Sequence, residues 1–363
     1  MYKPKLSSTV SVVKISEEIL EFFKTNSRQQ IHIKVKDDTI LNLVLSMDGN
    51  KSIVDLSRMF DVKESDIVNL TKYLERNGIL DNVRNIGEFE NYNKFRRVIH
   101  FLSEFSSSHE QLKFMWKNIL DATVLIVGMG AVGSWVASNL AQSGVGHLIL
   151  MDNDFVDITN LHRQFSYTEN DIGRLKTSVV NERIKSYNSN IEVTEKNILL
   201  DENSLTCFDN TKIDLIINCA DKPTVDTTSF WIGKYAMSRN IPHIIGGGYN
   251  MHLSLIGQTI IPGKTACVNC FKKHLEEENR IDHDKVKKLI IKNRKIGSFA
   301  PMCTIIASMV GMEAIKVLSK SITPANINRR GEFDIYNMDI KYKSYDRRDD
   351  CEWCGKEGKY YSL

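Results

Sequence analysis

The sequence predicts an α/β protein: a doubly wound, mostly parallel Rossmann-like sheet, with a winged-helix-like N-terminal domain and a structural zinc knuckle. Three observations carry this. Residues 122–176 read as a strand, a glycine turn, a helix and a second strand that closes on an acid. Residues 1–90 carry a separate pattern of short strands and capped helices. Two Cys-x-x-Cys pairs stand far apart in the chain and together supply four thiols.

In the N-terminal part, Ile31-His32-Ile33-Lys34-Val35-Lys36 and Ile40-Leu41-Asn42-Leu43-Val44-Leu45 read as two strands, with Asp37-Asp38-Thr39 as a hairpin turn. Ser52-Ile53-Val54-Asp55 reads as a capping box opening a short helix through Phe60. Ser65 can cap a second helix with Ile67, Leu70 and Leu74 on one face, stopped by Asn77-Gly78. A hairpin followed by two helices is winged-helix-like, and such units often bind DNA. Here residues 1–90 hold 13 Lys+Arg against 14 Asp+Glu, so the basic footprint of a nucleic-acid binder is missing. The run Leu45, Asp48-Gly49, Ile53, Leu56, Leu70, Leu74, Gly78-Ile79-Leu80 resembles the PqqD-like recognition element of peptide-maturation enzymes. That resemblance implies a partner, the leader of a ribosomal precursor peptide, bound by strand addition. A packing or dimerisation module without ligand is the alternative. Polar residues 82–93 read as a linker, so the domains are expected at 1–90 and 94–363.

The second domain opens on Val124-Leu125-Ile126-Val127 and the turn Gly128-Met129-Gly130-Ala131-Val132-Gly133. A helical pattern continues through Val136, Leu140 and Val145, and the next apolar run ends in Asp152. Glycines let a backbone approach phosphates closely, and a helix N-terminus favours negative charge. Rossmann dehydrogenases share this turn. The residues beyond it set this chain apart: Asp154, Asn160-Leu161-His162-Arg163-Gln164, and Gly173-Arg174-Leu175-Lys176. Hydride transfer has no evident need for Arg163 and Lys176, whereas breaking a triphosphate needs cations already in place where charge develops. Leu215-Ile216-Ile217-Asn218-Cys219-Ala220-Asp221 reads as a buried strand delivering a carboxylate suited to magnesium.

Together these residues resemble the ThiF/MoeB superfamily of adenylating enzymes, relatives of the ubiquitin-activating enzymes, over residues 94–354. The resemblance implies ATP and Mg²⁺ as cofactors, with Asp152 on the ribose, Asn160, Arg163 and Lys176 on the phosphates, and Asp221 on magnesium. Gly128, Gly130, Ala131, Gly133, Asp154 and Gln164 would complete the nucleotide site. Arg96, within Phe95-Arg96-Arg97-Val98, matches an arginine that in the family reaches the partner subunit's site, which implies a homodimer.

Helix and strand signals alternate from residue 176 to 245, Gly246-Gly247-Gly248 interrupts them, and Leu253-Ser254-Leu255-Ile256-Gly257-Gln258-Thr259-Ile260-Ile261 reads as one strand. In the family this part lies beside the acyl group. Residues 272–295 are dense in charge, which suits a solvated helix or loop, or a segment closing over substrate. The ubiquitin-activating branch often carries a transfer cysteine there; none lies between Cys270 and Cys303, which argues against transthiolation. Pro301-Met302-Cys303 opens an apolar helix, and Cys303 reads as a small core residue or a first-turn thiolate.

Cys267-Val-Asn-Cys270 and Cys351-Glu-Trp-Cys354 suit a closed tetrahedral zinc site, structural rather than catalytic, and family members often carry such pairs. The net charge of +3 gives no global argument for nucleic acid or membrane. No apolar run approaches the ~20 residues of a membrane span, and the start Met1-Tyr2-Lys3-Pro4-Lys5 lacks a signal core, so the expected location is cytoplasmic. The preferred reading is ATP-dependent adenylation of a carboxylate on a ribosomal precursor peptide, as in the microcin-type and pantocin-type peptide-modifying branch. A ubiquitin-like sulfur carrier as substrate, a non-catalytic scaffold and a dehydrogenase are the alternatives.

Overall fold

The computed structural model describes residues 2–81, 86–250, 253–279 and 297–361. The chain divides into two compact units, Met1–Lys113 and Phe114–Leu363.

The first unit opens with an antiparallel meander, β1 (Val10–Ser16), β2 (Ile19–Lys24) and β3 (Gln29–Lys34), in that order across the sheet. Only β3 of these is expected from sequence. The predicted partner strand at Ile40–Leu45 is instead a helix, α1 (Thr39–Leu45). Its apolar residues recur as Ile40, Leu43 and Val44, a helical rather than an alternating spacing, and Leu43 and Val44 are fully buried. Asp37-Asp38-Thr39 is accordingly no hairpin turn. Asp37 Oδ1 accepts the Thr39 N–H at 2.8 Å as the helix begins.

Helix α2 (Ile53–Phe60) starts on the capping box, with the Asp55 N–H donating to Ser52 Oγ at 3.2 Å and the Ser52 N–H to Asp55 Oδ2 at 2.9 Å. Helix α3 (Glu64–Arg76) is capped by Lys63 backbone, not by Ser65, which lies inside it; Glu64 and Asp66 place negative charge in its first turn. It ends at Asn77, followed by Gly78 at φ +65°. Phe22, Leu43, Val44, Leu56, Ile67 and Leu74 close one core beneath the meander. Of the expected linker, residues 82–85 lie outside the described residues, and α4 (Tyr92–Ser103) already begins at its end. Helix α5 (His109–Leu120) carries the chain into the second unit.

That unit is built on a six-stranded sheet of β4 (Thr123–Val127), β5 (His147–Met151), β6 (Glu192–Lys196), β7 (Leu215–Asn218), β8 (His243–Ile245) and β11 (Thr259–Ile260). The order is β11-β8-β7-β4-β5-β6, parallel except for β11. The doubly wound sheet expected from sequence is therefore present. Helices α6 (Ala131–Gln142), α7 (Lys176–Tyr187) and α8 (Val225–Ser238) make the crossovers. The stretch expected as one strand after the glycine triplet is split. A second, antiparallel sheet of order β13-β12-β10-β9 takes β9 (Gly248–Asn250) and β10 (Leu253–Ile256), while β11 returns to the first. The break falls at Gly257, where a Cβ would lie 1.8 Å from the Ile245 carbonyl oxygen. Strands β12 (Arg329–Asp334) and β13 (Asp339–Ser344) complete that sheet.

Helix α9 (Val268–Asn279) holds the start of the charged run; residues 280–296, with Arg280, Asp282, Asp284, Lys285, Lys287 and Lys288, lie outside the described residues. Helix α10 (Ala300–Ser319) is, by length and composition alone, long and apolar enough to cross a membrane, which corrects the expectation that no run approaches that length. It packs as a core helix against α6, with Gly311 over Asn139. Buried Glu313 in its last turns accepts the Ala325 and Asn326 N–H groups at 2.8 Å and pairs with Lys316. Burial pushes its carboxyl up, but Lys316 and those N–H groups outweigh that and hold it low.

His243 on β8 is buried, its Nδ1 3.2 Å from the Ile241 carbonyl and its Nε2 without a partner among the described residues. Burial lowers its pKa to about 4 against the opposing hydrogen bond to Ile241. The folded value lies below the unfolded one, so the unfolded chain binds more protons between them. The contribution is intact above the unfolded pKa of 6.5 and is lost as pH falls toward 4. Denaturant midpoints measured from pH 7 to pH 4 should fall less steeply in His243→Gln than in the parent; equal slopes would refute this.

Candidate functional site

In a parallel sheet the carboxyl ends of strands leave a crevice where strand order reverses. Here β4, β5 and β6 run to one side and β7 and β8 to the other, so the crevice opens between β4 and β7. It encloses ≈ 560 Å³. The ends of β4, β5 and β7 deliver to it Gly128, Asp152 and Asp154, and Asp221.

The glycine turn has three different jobs. Gly128 has φ +92°, and a Cβ there would lie 2.8 Å from the backbone of Cys219, so it sets how closely β4 and β7 approach. A Cβ on Gly133 would sit 1.8 Å from the Gly128 carbonyl oxygen; this buried glycine seats α6 on β4 and does not line the crevice. Gly130, the N-cap of α6, would point a Cβ into open space, so its bareness leaves room above the helix N-terminus, where Ala131 also lines the crevice. Cys219 fills the gap behind the turn. A Cβ on Gly246 would come within 2.7 Å of its Sγ, and one on Gly133 within 3.1 Å of its Cβ. Burial pushes the Cys219 thiol up to about 12, so it is inert packing.

Asp152 is tied into the turn: Oδ2 accepts the Met129 N–H at 2.5 Å and Oδ1 the Asp154 N–H at 2.7 Å. An ionised carboxylate has about four lone-pair sites, so capacity for ribose hydroxyls remains. Tyr167, buried under the turn, donates its hydroxyl to the Met129 carbonyl at 2.5 Å. Burial, then the charges of Asp152 and Asp154, push its phenol well above 10, keeping it a donor. Nothing in the local sequence marks this prop, and it is absent from the sequence-based expectation.

Asn160 and Gln164 arrive on a short turn. Asp157 N–H donates to Asn160 Oδ1 at 3.1 Å, which leaves the Asn160 amide nitrogen to turn toward a ligand. Gln164 is 4% exposed and lines the crevice, its Oε1 without a partner among the described residues. A buried unmet acceptor is costly, and a donor on a bound molecule would satisfy it. Arg163 lines the same wall, one Nη1 donating to the Thr159 carbonyl at 2.8 Å. Its charge also reaches Cys303, buried at the start of α10. Burial pushes that thiol up, against Ser298 and Arg163, so Cys303 is a core thiol.

Lys176, the first residue of α7, is 5% exposed, with its Nζ 3.2 Å from Asp154 Oδ2. Burial pushes the Asp154 carboxyl up, but Lys176 and Lys222 outweigh that and hold it below the usual carboxylate range. Asp221 is exposed at the crevice mouth. Thus Gly128, Gly130, Ala131, Asp152, Asp154, Asn160, Arg163, Gln164, Lys176 and Asp221 are brought together. Gly133 acts from behind, and Arg96 is exposed on α4 in the other unit. A bare glycine, an unmet buried acceptor and three cations beside three carboxylates fit a nucleotide with a divalent ion.

Cys267, Cys270, Cys351 and Cys354 converge, all buried, with their sulfurs within 4.8 Å of one another. Neighbouring sulfurs stand 3.9 Å (Cys267–Cys270), 3.5 Å (Cys267–Cys351) and 3.3 Å (Cys270–Cys354) apart. Zn–S bonds of ≈ 2.3 Å in a tetrahedron place sulfurs about 3.8 Å apart, so the set could hold zinc with little adjustment. Asn269 Nδ2 donates toward Cys351 Sγ at 3.7 Å, and Arg347 Nη1 donates to the Gly263 carbonyl, tying the tail to the loop before α9.

A profile described as the ThiF family matches residues 102–353. Among curated proteins, the molybdopterin-synthase adenylyltransferase of Escherichia coli K12 is 28% identical over 236 residues, covering 65% of this chain and 88% of its own. The sulfur carrier protein ThiS adenylyltransferase of the same organism is 29% identical, covering 66% and 88%. Among solved structures, the microcin C7 biosynthetic enzyme MccB in complex with N-formylated MccA superposes with TM-score 0.76 at 26% identity, over 97% of this chain and 99% of that one. PaaA superposes with TM-score 0.73 at 18% identity over 94% and 100%, a likeness of fold.

Proposed function

The chain belongs to the ThiF family, and from that premise we propose that it is an ATP- and Mg²⁺-dependent adenylating enzyme acting in the cytoplasm on a carboxylate of a ribosomally made precursor peptide. The observation that carries this is the convergence of the glycine turn, Asp152, Arg163, Lys176 and Asp221 on one crevice. A carboxylate oxygen of the peptide attacks the α-phosphorus of ATP, the bond to the bridging oxygen breaks, and acyl adenylate and pyrophosphate result. Arg163 and Lys176 stabilise charge on the phosphoryl oxygens, and Asp152 orients the ribose. Asp221 would hold magnesium, which would supply neutralisation of phosphate charge. In this reading zinc is structural, the enzyme works as a homodimer, and Arg96 serves the partner subunit's nucleotide.

Two features support a peptide as substrate. MccB, whose structure with MccA spans 97% of this chain, accounts for the N-terminal unit, whereas the molybdopterin-synthase and ThiS adenylyltransferases cover about two thirds. The N-terminal unit also leaves β3 at a sheet edge. A groove of ≈ 300 Å³ lies beside it, lined by Ile33 and Lys34 of the strand and Ile67, Leu70 and Tyr73 of α3. An open edge beside an apolar groove suits an added strand with alternate side chains in pockets. The 29% identity to the sulfur carrier protein ThiS adenylyltransferase favours the second reading, a ubiquitin-like sulfur carrier as substrate.

Intact-mass analysis of short peptides encoded beside the gene, incubated with the protein and Mg-ATP, separates these. A nucleotidyl mass gain supports adenylylation with nucleotide retained, and loss of water supports an adenylate consumed in a ring closure. No change in any such peptide, with pyrophosphate released on a carrier protein instead, refutes the peptide reading.

A further inference from the structure

Lys222, so far described only as a partner of Asp154, also lines the crevice. Its Nζ lies 3.2 Å from Asp154 Oδ2 and 3.5 Å from Oδ1, so it shares one carboxylate with Lys176. The two lysines are unlike. The Lys176 side chain is 6% exposed and has a buried ammonium's need of a counter-ion; that of Lys222 is 71% exposed. An exposed pair is weakly held and exchanges partners readily, whereas a buried one does not.

We infer that Lys222 is a further phosphate-binding residue, parked on Asp154 at rest and transferring to the phosphate chain of bound Mg-ATP. This rests on the nucleotide reading above. Charge balance argues for it. The crevice carries Arg163, Lys176 and Lys222 against Asp152, Asp154 and Asp221. Asp154 has two cations on one carboxylate, so it keeps buried Lys176 as a partner when exposed Lys222 leaves, and Lys222 then joins Arg163 and Lys176 against the negative charge of the phosphates. Lys222 also comes directly after Asp221 in the chain, so the cation and the metal-binding carboxylate rise on one loop at the end of β7. Placed there, an ammonium meets phosphate oxygens beside the metal and holds pyrophosphate as it leaves.

The test is equilibrium binding of Mg-ATP, magnesium pyrophosphate and adenosine to the full-length protein, its Lys222→Gln variant and its Lys222→Arg variant. Hydrogen bonds to charged groups support an expected loss of about tenfold in affinity for Mg-ATP and pyrophosphate in Lys222→Gln. Adenosine should bind all three proteins equally, and Lys222→Arg should stay near the parent. Unchanged Mg-ATP affinity in Lys222→Gln overturns the inference while leaving the nucleotide site standing. Adenosine affinity falling in step means a structural role and overturns it too. Failure of the unsubstituted protein to bind Mg-ATP overturns the nucleotide reading itself, and this inference with it.

Discussion

Asp221→Ala is expected to lower magnesium-dependent pyrophosphate release by about a hundred- to a thousandfold, the range seen when one preorganised charge-stabilising group is removed. The melting temperature should stay unchanged. Asp221 is exposed at the crevice mouth, just past the buried strand β7, and carries no part of the core. Its removal therefore separates chemistry from folding in a way Lys176, buried beneath Asp154, does not. Raising magnesium should recover part of the activity in an Asp221→Asn variant, which keeps an oxygen ligand. Parent-level turnover in Asp221→Ala would take the metal away from this residue and strengthen the scaffold alternative.

The second large effect concerns the four cysteines. The purified protein is expected to carry about one zinc per chain, and Cys354→Ser to lose it. Structural zinc supplies on the order of 10–16 kcal/mol in isolated fingers. Losing even about 4 kcal/mol would lower the melting temperature of a domain this size by about 10 °C. The effect should be reproduced by chelation and should start at the tail. Tyr345, Cys351, Cys354 and Tyr360 share one buried cluster with Cys267, Cys270 and Phe271. Limited proteolysis beyond Tyr345 is the direct readout. Metal analysis showing no zinc, with chelator leaving the melting temperature in place, would refute the site.

Local spacing makes part of this molecule legible in its sequence. The glycine turn, Asp152, Lys176 and Asp221 sit at or just past the ends of strands or at the starts of helices, so identifying those elements already places them at one end of a parallel sheet, and Arg163 lies on the turn between Asp152 and Lys176. The Ser52–Asp55 capping box is equally local, and it forms as expected. Sequence and structure part where pairing or packing decides. Ile40, Leu43 and Val44 are residue types at home in strands, and the apparent turn before them masks their helical spacing. The split between β10 and β11 depends on how near Gly257 runs to Ile245, a contact between distant segments. Tyr167 under the glycine turn and Lys222 on Asp154 are likewise contacts of 38 and 68 residues' separation. Arg96 rests on a four-residue match, and it lies in the unit that does not hold the crevice.

The packing around Cys219 sets how this protein can drift under mutation. Gly128, Gly133 and Gly246 all press on that one residue or on the backbone beside it. Shrinking Cys219 to alanine relieves a Cβ at Gly246, whose close contacts include the sulfur, only in part, because Asn218 oxygen stands 2.5 Å away. It does nothing for Gly133, whose obstacle is the Gly128 carbonyl. No single compensating substitution can therefore open these positions, and a randomised library should recover glycine at 133 whatever it is allowed at 219. Novelty in this lineage must enter through the loop tips around the crevice, Lys222 among them, while the turn behind them stays frozen.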